Sequence, residues 1–512
     1  MMSEFKRLHP ASIILMFLQG LKGIILPVII TLFFSNSQGE SFIRFEYIWL
    51  VFIVILFISS ILSYISFKYK LEDGELFVQK GIFIKKKRYI QQKRVQSIDI
   101  TAGLLQRMFG LVKVSVETAG SGGEPEVQLN AIKKQEASLI SEALKAGKQN
   151  LKPSDAGIGD HDSNDRHEPD ALNDSEFNPD GNEQLQESSQ ELEPSVKWNL
   201  STQHLLIAAL TSSGIGLTIS AVGALFSQVE QVVPSTLYER TFGFLVGSGI
   251  WFIAAIIFFI VFISWIISFI NTFLKYGNFS VVKQNEDLII KRGLIETRQL
   301  TINTDRVTAV RYVANIFRQP FGYTAVYVES AGGGTGEEQG STVLLPLLKK
   351  KDAHKVLEEL LPEYAAEPIF KRVPQRALIR YLVQNTFIPI AATAALFYFY
   401  PEFAYYGLIA VALMSLIGYA QYRDAAAGSL RGQLYIRYRK LSQVIVISKH
   451  RKIQSLERHV SLLQGRRDLA TIKLAVQSSF SWKLFRVEHV DVGDADQLLY
   501  WYSNKNQRGR SD

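Results

Sequence analysis

Apolar residues are clumped along this chain. Six stretches reach or approach the roughly 20 apolar residues with which a helix crosses a bilayer: about Ser12 to Phe34, Tyr47 to Phe67, Leu205 to Phe226, Phe242 to Ile270, Tyr381 to Tyr400 and Phe403 to Ala420. They come as neighbours and predict three transmembrane hairpins, at 12–67, 203–272 and 380–421. The first stretch is long and no A-x-A-like cleavage site follows it, so it reads as a span rather than a signal peptide. Lys22 and Pro27 lie inside it. Lys22 is the one ionisable side chain deep in an expected span, which makes it a functional-site candidate by default. Gly214, Gly216, Gly223, Gly247 and Gly249 suit close helix contacts in the second hairpin.

After each hairpin the period shortens to that of strands. Leu71, Leu76 and Val78, then Ile82 and Ile84, alternate with polar residues, and Val112, Val114 and Val116 do so again. Glu72–Glu75 and Gln284–Asp287 have the Asp, Asn and Gly content of hairpin turns. Amphipathic helices close the copies at about Lys134 to Ala146, Asp352 to Leu361 and Asp494 to Tyr502. The same unit occurs three times, which settles the domain boundaries. R-V-Q-S-I from Arg94, L-Q-R-M-F-G ending at Gly110 and V-S-V-E-T-A-G ending at Gly120 return 212 residues on as R-V-T-A-V from Arg306, F-R-Q-P-F-G ending at Gly322 and V-Y-V-E-S-A-G ending at Gly332. A weaker copy, K-I-Q-S-L from Lys452, stands 358 residues after the first. The expected fold class is a multi-domain α+β membrane protein, with six transmembrane helices in three hairpins and three modules at 68–147, 273–364 and 422–504. Each module reads as a small β-barrel or sandwich closed by a C-terminal helix.

Segment 151–196 differs in kind, with 13 acidic residues against Lys152 and Arg166. It is too polar to offset its ordering entropy, so 148–197 is expected to be a disordered acidic linker. The overall charge of +8 therefore understates how basic the rest is. Hairpin loops 35–46, 227–241 and 400–402 hold only Arg44 and Arg240, whereas the flanks on the other side hold many Lys and Arg. That bias predicts cytoplasmic modules and termini on a multi-pass protein of the plasma membrane. With no cysteine, the chain has no disulfide, thiolate nucleophile or Cys-ligated metal.

The motif R-V-Q-S-I, then L-Q-R-x-F-G, then a strand ending T-A-G resembles the bacterial pleckstrin-homology-like family, second type. Lys93–Gly120 carries the resemblance well, Asp305–Gly332 moderately and Lys452–Val476 weakly. The layout of three modules with an acidic linker is similar to that of the YdbT-type membrane proteins of bacilli. The resemblance implies PH-like barrels, membrane association, no established catalytic activity, and a smaller one-module PH-like membrane protein as partner. Copy three departs from the pattern where Asp468 replaces the glycine of Gly110 and Gly322.

Lys85, Lys86, Lys87 and Arg88 form a tetrabasic run close to a membrane exit. They read either as contacts to anionic head groups, at about 1 kcal/mol per basic residue, or as topology determinants. Arg94, Arg306 and Lys452 share one repeat position, where an ion pair within the module is the simpler account and a ligand contact the alternative. Thr118–Gly123 and Ser330–Gly336 are Gly-rich but lack the Lys-Ser/Thr pair of a phosphate loop. His450, His459 and His489 read as surface histidines. No catalytic constellation, metal-ligand spacing, cofactor fingerprint or nucleic-acid module stands out. The expected function is a non-enzymatic membrane scaffold that engages protein or anionic lipid. The alternative is a transporter or export factor that protects the envelope from a membrane-active compound.

Overall fold

A computed structural model of the chain describes residues 2–35, 42–72, 74–82, 84–118, 125–146, 196–212, 220, 250–330, 340–479 and 481–504. Among the described residues, four helices are long and apolar enough to cross a membrane: Tyr47–Ser66, Ala255–Tyr276, Gln375–Phe399 and Pro401–Asp424. The first expected span is helical over Ser12–Ser35, of which Ser12–Ile25 is a shorter apolar stretch. Most of the expected third span, the glycines singled out near it, and all of the expected linker 148–197 except Val196 and Lys197, which begin a strand, lie outside the described residues. In the third hairpin, Gly407 and Gly418 bring the two helices together. A Cβ at Gly418 would lie 2.8 Å from the Tyr381 carbonyl oxygen, and one at Gly407 2.5 Å from Thr393 Oγ1.

Each module follows one plan. The first has strands Lys68–Glu72, Glu75–Lys80 and Lys86–Ile90, then Val95–Ala102, Leu111–Thr118 and Val127–Lys133, then the helix Lys134–Ala146. Ala137, Ile140 and Leu144 of that helix enter a core with Leu76, Val78, Val114, Val116 and Leu129. The second runs Ser280–Gln284, Asp287–Arg292, Thr297–Asn303, Val307–Ala314, Tyr323–Ser330 and Ser341–Lys349, with the helix Lys350–Leu360. The third runs Ala426–Leu430, Gln433–Arg439, Gln443–Lys449, Ile453–His459, Leu469–Gln477 and Trp482–Asp491, with the helix Val492–Ser503.

Two features depart from the pattern read in the sequence. Ile82 is not in a strand, and neither is Ile84. They belong to the turn before Lys86–Ile90, where a Cβ on Gly81 (φ +115°) would sit 2.0 Å from the Ile84 carbonyl oxygen. The second departure is a strand upstream of each helix pair. Met2–Lys6 pairs with Lys68–Glu72, Val196–Asn199 with Ser280–Gln284, and Lys371–Arg372 with Ala426–Leu430. These strands are too short for periodicity to reveal, and the chain leaves and rejoins each module through the intervening helices.

The modules share sheets. One seven-stranded sheet joins the last three strands of the first module to the upstream strand Val196–Asn199 and the first three strands of the second, through Val95–Ala102 and Thr297–Asn303. A second seven-stranded sheet joins modules two and three in the same way through Val307–Ala314 and Gln443–Lys449. A four-stranded sheet ends in Lys86–Ile90 at one end of the array, and a three-stranded sheet starts with Ile453–His459 at the other. The cores interlock as well: Tyr435, Ile445 and Ile447 of the third module lie in the core of the second.

Candidate functional site: strand edges and membrane-side turns

Both junctions use one register. Thr297 faces Ala102 and Ile302 faces Ser97, while Gln443 faces Ala314 and Ser448 faces Ala309, which are the equivalent positions of the repeat. At the first junction the Arg298 guanidinium grips the Asp99 carboxylate, with Nε 2.9 Å from Oδ1 and Nη2 2.9 Å from Oδ2. At the second, the fully buried Glu329 holds Arg311 at 2.5 Å and Lys483 at 3.2 Å, and accepts from Ser341 and from Ser478 of the third module. Burial holds the Lys483 ammonium below its ordinary pKa, against the pull of the Glu329 charge. Glu363 binds Lys449 across this junction, with Arg451 3.6 Å away. Burial would raise the Glu363 carboxyl, but the Lys449 hydrogen bond and the charges of Lys449, Arg451 and Lys452 outweigh it and hold the carboxyl below its usual range.

Two kinds of turn meet the ends of the spans. The turn at Gly293–Glu296 docks on the last turn of the helix Ile250–Tyr276, with Leu294 N–H donating to Leu274 O at 3.0 Å. The turn at 439–442 docks likewise on the helix Ala404–Asp424: Gln421 Nε2 donates to Lys440 O at 3.2 Å, and Arg439 Nε donates to Asp424 Oδ2 at 2.5 Å. Beside each such turn lies the turn that follows the outgoing edge strand of the preceding module. Arg107 donates to Leu294 O at 2.5 Å and Ile295 O at 2.9 Å, and Arg439 reaches Gln319 Oε1 at 2.6 Å. Arg318 is buried and donates to Thr211 Oγ1 at 3.0 Å and Ala208 O at 3.3 Å, at the foot of an expected span. In the third copy, Arg380 and Arg376, at the start of the span Gln375–Phe399, donate to Leu463 O and Arg467 O.

These turns expose apolar side chains in all three copies. Met108 is 73% exposed, Phe321 70% and Leu462 92%, joined by Leu104, Phe109, Ile316, Phe317 and Leu463. The residue that ends the turn has a left-handed backbone each time: Gly110 at φ +65°, Gly322 at +68° and Asp468 at +49°. The departure of the third copy at Asp468 is thus one of residue type, while the turn itself is retained.

Lys85 lies in the turn before the edge strand, while Lys86, Lys87 and Arg88 lie on that strand, and all four are exposed. Arg88 donates to Glu126 O at 2.5 Å. Arg94, Arg306 and Lys452 occupy the short turns Gln92–Arg94, Thr304–Arg306 and His450–Lys452. Among the described residues none of the three makes an ion pair, and Lys452 donates to the Asp305 carbonyl across the second junction. Lys22 is exposed on the helix Ser12–Ser35 rather than turned into its packing with Phe42–Ser66. The Gly-rich segments 119–124 and 331–339 lie outside the described residues. His450 and His489 are buried, contrary to the surface reading. His450 Nε2 is 2.9 Å from Tyr502 O, and His489 Nδ1 is 3.1 Å from Gln464 Nε2. The closing helix covers His450 through Trp501 and Tyr502, while His489, itself on the last strand, is covered by Tyr381 of the third hairpin and by Gln464, contacts that adjacency in sequence does not reveal. A polar cavity of about 130 Å³ lies between the third hairpin and its module, lined by Gln384, Asn385, Gln421, Arg439, Arg486 and Glu488.

A model of the bacterial PH domain matches residues 18–148, 225–364 and 385–506. The chain is 34% identical over 524 residues to UPF0699 transmembrane protein YdbT of Bacillus subtilis (strain 168), an alignment covering 99% of this chain and 100% of that protein. No solved structure matches the chain. Three family matches and four membrane-length helices make it a multi-pass membrane protein with repeated modules. It belongs to the bacterial PH domain family, of which it carries three copies joined edge to edge.

Proposed function

We propose that this chain is a non-enzymatic membrane scaffold whose three modules form one platform seated on the cytoplasmic leaflet. The observation that carries this reading is the exposed apolar turn, present in every copy and adjacent to the feet of the membrane-length helices. Exposed apolar side chains rimmed by arginines suit the boundary between head groups and acyl chains. Met108, Phe321 and Leu462 are the most exposed members of this row, and Lys85–Arg88 supplies positive charge for anionic head groups. Three such contacts on one rigid array act together, so that losing one weakens seating far less than losing all.

The chain has no cysteine, so single cysteines can be placed at will. Met108→Cys, Phe321→Cys and Leu462→Cys, each carrying an environment-sensitive fluorophore, are expected to show blue-shifted emission in vesicles containing anionic lipid and quenching by a lipid-borne quencher. Water-like emission at all three positions would overturn the seating. Neutralising Lys85, Lys86, Lys87 and Arg88 together is expected to reduce the dependence on anionic lipid while leaving the blue shift in place.

A further inference from the structure

The two sheets at the ends of the array are the halves of a third junction. The incoming edge of the first module, Lys86–Ile90, is exposed at four of its five residues, whereas its equivalents Thr297–Asn303 and Gln443–Lys449 are largely buried by the strand beside them. The outgoing edge of the third module, Ile453–His459, is likewise more exposed than its equivalents Val95–Ala102 and Val307–Ala314. Among the described residues neither end strand has a partner on its outer side. One sheet has four strands and the other three, the two parts from which each seven-stranded sheet is built.

We propose that the incoming edge of one copy pairs with the outgoing edge of a second copy of this chain, antiparallel and in the register of the internal junctions. That register sets Arg88 opposite Glu457, Tyr89 opposite Leu456 and Ile90 opposite Ser455. Lys86 stands at the repeat position of Arg298 and Glu457 at that of Asp99, so the ion pair of the first junction has a counterpart. Lys87 faces Arg458, whose charge is already engaged by Asp496 at 2.5 Å. Lysines on an edge strand deter unguided pairing, and a carboxylate set between Lys86 and Arg88 makes the pairing selective. The acidic segment 151–195 matches the charge but is poor in β-branched and aromatic residues, a composition ill-suited to extending a sheet. A head-to-tail contact of this kind closes into a ring or continues as a row. Membrane anchoring gives every copy the orientation that the contact requires.

The test is disulfide trapping in native membranes, with Arg88→Cys and Glu457→Cys on differently tagged full-length chains expressed together. Oxidation is expected to give a dimer carrying both tags. Pairing Arg88→Cys with Ser455→Cys, two positions out of register, is expected to give several-fold less. Within one chain, Asp99→Cys with Leu300→Cys is the positive control, because these residues face each other across the first junction. Absence of the two-tag dimer while the control oxidises would overturn the proposal, as would equal trapping at both registers. Trapping of Arg88→Cys to a different, smaller protein without the two-tag dimer would also overturn it and assign the edge to another chain. Charge reversal gives an independent reading: Arg88→Glu or Glu457→Arg alone is expected to lower the oligomer fraction, and the two together to restore it.

Discussion

At the scale of single residues, the left-handed positions separate two costs. Gly110 has φ +65° and nothing within 4 Å of a would-be Cβ, so Gly110→Ala meets only backbone strain, about 1–2 kcal/mol. Gly293, at φ +103°, would place its Cβ 1.8 Å from the Glu296 carbonyl oxygen, so Gly293→Ala must distort the turn that docks on a span. Thermal midpoints in detergent are expected to fall clearly further for Gly293→Ala than for Gly110→Ala. Glu329 is the other sensitive residue, a carboxylate with no exposure that two cations and two hydroxyls address. Glu329→Ala leaves the half-buried Arg311 and Lys483 without their counter-charge, and is expected to cost about 3 kcal/mol, the low end of the cost of breaking a buried pair. Limited proteolysis should then separate the third module from the second. That Gly110 and Gly322 share one repeat position was legible in the sequence, but its left-handed backbone, which Asp468 adopts too, was not. Glu329 was not, since its partner Lys483 comes from another copy and its burial depends on both sheets.

At the scale of elements, strands and closing helices followed from alternation and amphipathicity, and the helix Lys134–Ala146 lies where the apolar spacing put it. Which strand lies beside which did not follow. The register of Val95–Ala102 with Thr297–Asn303 depends on two edges far apart in sequence, and neither edge advertises its partner in its own pattern. The reading of Lys85–Arg88 as a basic cluster was silent about the strand that holds three of those residues. The junctions are also where pH acts. Because the Glu363 carboxyl is held below its usual range in the folded protein, its stabilising effect is complete above the ordinary carboxylate pKa and is lost as pH falls through the lower, folded value. Scanning thermal midpoints from about pH 6 to about pH 3 should show this loss, and Glu363→Gln should flatten that part of the curve. In the third hairpin, Gly418→Leu would drive a side chain into the backbone at Tyr381, so its two helices are expected to separate at lower temperature.

At the scale of the whole molecule, three modules and their spans form one continuous object, with sheets that ignore the boundaries of the repeat. The sequence divides into hairpin, module and linker, whereas the structure divides into sheets that straddle neighbours. The upstream strands have a consequence for biogenesis. Lys371–Arg372 pairs with Ala426–Leu430 although two membrane-length helices separate them in the chain. During synthesis the first strand waits while both helices leave the ribosome, and its partner reaches the same side of the bilayer only if the two helices cross as a pair, not one alone. A chain in which one helix failed to insert would strand the two halves of this sheet on opposite faces of the membrane. Completing the third module therefore doubles as a check on insertion, and a mis-threaded chain would be left with an open sheet exposed to quality-control proteases.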